Sequence, residues 1–450
     1  MSGAADPRAR RSAGIGSGGE GNPATRPGGE ESADDARGPE SPGIGRGLDA
    51  GGRPEPPAGP GRVGGETAPG LEPVRDLLAS FAQVDPDYSA QLTAYVRGRR
   101  VVDLWAGPHQ GPDTLTGVFS STKGVSALTL ARLVEAGGLD LEAPVAHYWP
   151  EFSAHGKGSV SVAELLSHQA GVVGVPGTRI GERYDSCAIA ASLAAMRPLW
   201  RPGRAFGYHG TAIGPLMEEL FRRIAGEELQ DHYAREVREP YGVDFFIGLP
   251  ERLEPRYAPV LPPVDPDGPV GSEDTGAAAG PVGVQRVPDD LGSVVFFGAG
   301  PMDPDGVIEP NLRHLRAAGV ASIGGVGSAR GLARAYAAAV TGVDGREPFL
   351  SAQTVERLGV EQCFGPDRVL GGIEASYAVV FQKPNHRAPF ASWRAIGHDG
   401  AAGSLGYADP TYDLAFGYVR RRMAVPGGLD PRAVRLSACL RSLLDPVRPL

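Results

Sequence analysis

The feature that most constrains this 450-residue chain is the order of its hydrophobic periodicities. The stretch QLTAYVRGRRVVDLW, from Gln91 to Trp105, is rich in β-forming residues on both sides of Arg97-Gly98-Arg99 and predicts a hairpin. From Ser121 to Glu135 the apolar residues switch to helical spacing (Val125, Leu128, Leu133), with Gly137-Gly138 as the stop. Ser161 and Glu164 have capping-box spacing ahead of a short helix ending near Gly171. Leu216, Leu220, Phe221 and Ile224 predict a helix stopped by Gly226, and Leu332, Ala335, Tyr336 and Ala339 one entered from Ser328. RAIGHDG, SLGYADP and LAFGYV then predict three strands, the last two joined across Asp409-Pro410-Thr411, before a helix from about Pro431 to Leu444. The order is two strands, helices, three strands and a helix, without an internal repeat.

Two segments fall outside this pattern. Residues 1–70 are dominated by Gly, Pro, Ala, Arg, Glu and Asp, with too few large apolar side chains to offset the entropy of ordering them. They are expected to form a disordered extension, leaving residues 71–450 as the folded domain, mostly helical between about 125 and 345. The extension's 8 arginines face 10 acidic residues, so it is no basic nucleic-acid arm. Between about 260 and 310 the density of Pro, Gly and Asp predicts a flexible insertion or lid.

Net charge -9 and a pI near 5.6 provide no general attraction to nucleic acid or to anionic lipid, which points to small-molecule partners. The three cysteines, Cys187, Cys363 and Cys439, lie far apart, suggesting neither a disulfide framework nor a thiolate zinc site. No HExxH or Walker pattern occurs, so no metal or cofactor is expected. The arginines at Arg8, Arg10 and Arg11 are not followed by an apolar core, and no apolar run is long enough to span a bilayer. A cytoplasmic location is the expectation, and nothing specifies an oligomer.

The chemistry concentrates on Ser120-Ser121-Thr122-Lys123. A serine hydroxyl needs a base within hydrogen-bond reach, and residues i and i+3 of a helix share a face, so Lys123 is placed to serve Ser120. Ser121 would point elsewhere. The helix N-terminus adds N-H groups that favour developing negative charge, and a lysine acts as base only where burial or a nearby cation lowers its pKa. Only three lysines occur among 44 basic residues, so a lysine at this spacing stands out. Tyr208, in FGYHGTAIGPLMEEL just before a helix, can relay a proton to a leaving group, and His209 beside it is placed in the substrate pocket. His398-Asp399-Gly400 supplies the third element: the glycine would let substrate approach the backbone, and the Ala401 N-H could face its carbonyl. The nearest approach to a GxSxG elbow, Ala402 to Gly406, lacks its first glycine, so Ser404 is read as structural.

An SxxK serine followed by a Tyr motif and then a His-x-Gly strand resembles the serine β-lactamase and penicillin-binding-protein superfamily, most closely the class C β-lactamase-like carboxylesterases of the family VIII type. FSSTKG, YWPEF, LLSHQAGV, YHGTAIG and GHDGAAGSLGYADP carry the likeness, which runs from about residue 74 to 440. The resemblance implies an α+β fold, a five-stranded antiparallel sheet flanked by helices with a mostly helical second region, and a site between them. It also implies acylation of Ser120, proton transfer by Lys123 and Tyr208, and oxyanion N-H groups from Ser120 and from the strand His398 to Ala401. Two departures matter. Tyr-x-Asn is Tyr208-His209-Gly210 here, and the lysine of Lys-Thr-Gly is His398, so two groups that would hold a β-lactam are missing. A serine hydrolase of small, short-chain esters is the leading expectation. An acyltransferase, a β-lactamase or DD-peptidase, and a silent scaffold are the alternatives.

Overall fold

The computed structural model describes residues 57–176, 178, 184–263, 291–295, 307–425 and 427–447. Residues 44–450 cluster as one unit. Its centre is a six-stranded sheet built from both ends of the chain: β1 (Gly59–Thr67), β2 (Ala90–Val96), β3 (Arg99–Gly107), β4 (Ile396–Asp399), β5 (Leu405–Asp409) and β6 (Leu414–Arg420). The spatial order is β1-β3-β2-β6-β5-β4 with antiparallel neighbours throughout. The N-terminal hairpin joins the C-terminal strands where Ala90 to Val96 pair with Arg420 to Leu414. The turn between β2 and β3 is made by Arg97 and Gly98, both at positive φ, as a two-residue hairpin loop demands.

Apolar burial covers the two faces differently. On one face α1 (Glu72–Val84) and α5 (Pro431–Ser442) enclose a core of Leu78, Phe81, Leu92, Leu104, Phe416 and Leu436. Each such side chain contributes about 1.5–3 kcal/mol by leaving water. On the other face lies α4 (Ala329–Val340), entered from Ser328, whose hydroxyl accepts from the Gly331 N-H. This alanine-rich helix sits close because β6 has a glycine beneath it: a Cβ on Gly417 would meet the Ala329 carbonyl at 2.5 Å. Beyond it lie α2 (Ser121–Glu135) and α3 (Ile213–Ala225), the latter ended by Gly226 in the left-handed conformation. The capping box of Ser161 and Glu164 is present on both sides.

Two expectations are corrected. Order extends into the segment expected to be disordered, because β1 spans Gly59–Thr67 and pairs with β3, giving the sheet six strands where five were expected. Its glycines, read as a sign of disorder, let the strand cross an indole: a Cβ on Gly64 would meet the Trp105 ring at 2.5 Å. Residues 1–56 lie outside the described residues, as do 264–290 and 296–306 of the expected lid; Leu291–Val295 between them is a short helix.

A small antiparallel sheet of Thr116–Gly117, Gly325–Gly327 and Phe245–Ile247 brackets the start of α2. Val118 N-H donates to the Gly325 carbonyl, and Gly325 N-H to the Thr122 hydroxyl. A separate hairpin, Cys363–Pro366 with Glu374–Tyr377, completes the frame around the site.

Candidate active site

Ser120 occupies the N-cap of α2 with its side chain free of capping duty. The preceding Phe119 has φ +48, a left-handed conformation that costs a non-glycine residue roughly 1–2 kcal/mol. Its ring is held by Val260, Ile308, Ala402 and Met423, which over-determine the turn. Thirteen of the fifteen residues of α2 are buried, among them Ser121, Thr122 and Lys123. Buried polar groups need partners, and each of these has one.

Lys123 Nζ lies 2.9 Å from Ser120 Oγ and donates to the Ser322 carbonyl at 2.9 Å. Complete burial pushes its pKa well below the ordinary value, against a smaller opposing pull from Asp399. The Tyr208 hydroxyl donates to the same Ser120 Oγ at 2.8 Å, and burial raises its pKa. The lysine is thus driven toward the neutral amine and the phenol held protonated. Environments that push two pKa values apart in this way mark a base and an acid.

Ser121 Oγ donates to the His398 carbonyl at 3.2 Å and lies 2.9 Å from Ser404 Oγ, while Ser404 Oγ reaches the Val118 carbonyl at 2.9 Å. Both serines brace α2 against β4, as expected. His398 is fully buried, its Nδ1-H donates to the Asp399 carbonyl at 2.7 Å, and burial drops its pKa to about 3. Its ring lies 6.0 Å from that of Tyr208. Among the described residues, neither the Ser120 N-H nor the Ala401 N-H is engaged in a hydrogen bond, which leaves both open to a substrate oxygen.

Two expected placements are corrected. His209 is fully buried with both ring nitrogens spent on backbone, Nδ1 at 2.7 Å from the Gly207 carbonyl and Nε2 accepting from Val172 N-H at 3.3 Å. Burial lowers its pKa to about 4, so it is a neutral strut behind Tyr208 rather than part of the substrate pocket. Gly400 does not open the backbone to substrate. Its N-H donates to the Ser404 carbonyl at 2.9 Å, and a Cβ there would meet the Val118 carbonyl at 2.1 Å. The glycine permits tight packing of β4 against the turn before Ser120.

Several residues of the site carried no sequence signal. Ser322 receives the lysine; Glu218 Oε1 accepts from the next-door Ala321 N-H at 2.6 Å and steadies that loop. Gln382 Oε1 accepts from Asp399 N-H at 3.0 Å. Trp200, Phe206, Val369 and Tyr377 form an apolar cluster with Tyr208. Among the described residues no group of three or more His, Cys, Asp or Glu is arranged to hold a metal ion, and no helix is long and apolar enough to cross a membrane.

Known proteins are similar to this chain in sequence and fold. The chain is 31% identical over 368 residues to the esterase/beta-lactamase LipL of Mycobacterium tuberculosis, covering 78% of this chain and 81% of that protein. The solved structure of EstA from Arthrobacter nitroguajacolicus superposes with a TM-score of 0.75 at 45% identity, covering 84% of this chain and 97% of the other. A family VIII carboxylesterase superposes with a TM-score of 0.74 at 33% identity, covering 85% and 100%. The fold is therefore the α+β fold of the beta-lactamase and transpeptidase type. The Beta-lactamase family profile matches residues 79–438, most of the described chain, and the protein belongs to that family as a serine hydrolase related to its carboxylesterases.

Proposed function

We propose that the protein hydrolyses small carboxylic esters, short acyl chains included, through an acyl-Ser120 intermediate. The observation that carries this reading is the double contact on one atom: Ser120 Oγ meets Lys123 Nζ at 2.9 Å and the Tyr208 hydroxyl at 2.8 Å. The neutral Lys123 amine takes the proton as Ser120 Oγ attacks the ester carbonyl. The oxyanion is received by the N-H groups of Ser120, at the start of α2, and of Ala401, just after β4. As the tetrahedral adduct collapses, the C-O bond to the alcohol breaks and the leaving oxygen takes the Tyr208 proton, which Lys123 replaces. Water then attacks the acyl-enzyme, gives its proton back through the same pair, and releases the acid and free Ser120.

The relatives named above include proteins described as esterases or carboxylesterases, which supports this substrate class. A cytoplasmic setting is proposed from composition. The decisive experiment is mass spectrometry after a fluorophosphonate: the label is expected on Ser120, with loss of nitrophenyl-ester turnover in proportion to labelling. A label elsewhere, or turnover that survives full labelling, refutes the reading.

A further inference from the structure

Three consecutive backbone N-H groups that precede α3 are each pinned by a hydrogen bond. Gly207 N-H donates to the His168 carbonyl at 3.1 Å and His209 N-H to His168 Nδ1 at 3.2 Å. Between them Tyr208 N-H donates to both carboxylate oxygens of Asp367, at 3.0 and 3.2 Å. Asp367 is fully buried and follows the strand Cys363–Pro366, far from Tyr208 in sequence. Its carboxylate also accepts from Val369 N-H at 2.8 Å, Leu370 N-H at 3.0 Å and the Tyr377 hydroxyl at 3.3 Å. Among the described residues no arginine or lysine forms an ion pair with it. A buried carboxylate satisfied by neutral donors alone requires all of them to stay in place.

The same hairpin supplies a second restraint. The Tyr377 ring stacks on the Tyr208 ring, with centroids 6.1 Å apart and planes 10° from parallel, and the His168 ring stands edge-on to both. One carboxylate thus holds the backbone of Tyr208 and the hydroxyl of the tyrosine stacked against its ring. A loop anchor alone needs only the bonds to Val369 and Leu370.

We propose that Asp367, acting with Tyr377, is a positioning residue for Tyr208 that keeps its phenol hydroxyl on Ser120 Oγ. This rests on the esterase reading. Misplacing a reacting group by about 1 Å costs on the order of 100-fold in rate. Burial raises the Asp367 pKa against the lowering pull of its donors, so its hold on Tyr208 is one of hydrogen-bond geometry rather than of charge. The other titratable groups facing Tyr208 are Lys123, His168, His398, Asp399 and Tyr377, and they are the same in wild type and variant.

The test is Asp367→Asn, with kcat expressed per Ser120 labelled by a fluorophosphonate, so that unfolded protein does not count. The expected result is a fall in kcat of about 10- to 100-fold with KM changed less than about threefold. Tyr377→Phe keeps the stack and deletes only the bond to Asp367; it should lower kcat about threefold, and the double variant should be no worse than Asp367→Asn. A wild-type kcat per labelled site in Asp367→Asn overturns the proposal. If that variant does not fold, an unchanged kcat in Tyr377→Phe overturns it. Ester turnover by Ser120→Ala would instead refute the serine mechanism itself, a result independent of Asp367.

Discussion

Lys123 donates to the carbonyl of Ser322, a residue 199 positions away, and this contact adds a tertiary restraint to the helix spacing that sets the amine beside Ser120. With one N-H directed at a carbonyl and the stem fully buried, the neutral amine is left with its lone pair available to the serine hydroxyl. On the proposed mechanism this makes the lysine a base before substrate arrives.

The pH dependence of kcat/KM follows from this. The active form is the neutral amine, so falling pH protonates Lys123 and removes the base. Because burial lowers its pKa well below that of a free lysine, the acidic limb should lie far below pH 10. Lys123→Arg, which stays charged, should lose at least about 1,000-fold in kcat/KM at every pH. An acidic limb unchanged in Lys123→Arg would assign it to another group.

The neighbouring serines give a sharper contrast. Ser121 and Ser404 are buried and hydrogen-bonded to each other and to the carbonyls of His398 and Val118. Ser120→Ala should abolish acylation. Ser121→Ala and Ser404→Ala should each cost about 1–3 kcal/mol of stability while Ser120 still labels fully. Denaturant melts together with labelling stoichiometry test both halves, and loss of labelling without loss of stability in either variant contradicts the assignment.

What the sequence made legible was what depends on nearby residues. The start of α2, the turn at Arg97-Gly98, the cap at Ser161 and the stop at Gly226 are each set by a few consecutive side chains. The meeting of Ser120 with Lys123 is one helix turn and was equally readable. Asp367 was not, because its hold on Tyr208 spans 159 positions and needs the hairpin to fold first. His209 misled because its place beside Tyr208 in sequence says nothing about which backbone groups occupy its ring nitrogens. β1 misled because glycine has two meanings: entropy in a free chain, and room for a neighbour in a packed one.

The packing role of glycine in β1 is open to a direct check. Gly64→Ala places a methyl 2.5 Å from the Trp105 ring, so the strand or the indole must shift. A stability loss of about 1–3 kcal/mol is expected from overpacking. Gly138→Ala is a suitable control, since a Cβ there would make only ordinary contacts at 3.5 Å and beyond. Equal melting temperatures for the two variants would show that β1 does not pack on Trp105.

The last prediction concerns substrate choice and turns on His398. A β-lactam brings a carboxylate that a fixed cation would bind, and burial holds this imidazole neutral by dropping its pKa to about 3, so no cation forms there at any working pH. Gly210 offers no side-chain amide either. Each missing hydrogen bond to a charged group is worth about 1.5–3 kcal/mol, so β-lactam kcat/KM should fall on the order of hundreds-fold or more below that of a site containing both. On the proposed mechanism a short acyl ester needs neither group, because its carbonyl oxygen is received by the two backbone N-H groups. Nitrophenyl acetate or butyrate should therefore be turned over readily and nitrocefin feebly. Gly210→Asn with His398→Lys should move the ratio toward nitrocefin. Faster hydrolysis of nitrocefin than of nitrophenyl butyrate by the unaltered protein would reverse the assignment, because a neutral imidazole would then have to bind a carboxylate without a charge of its own.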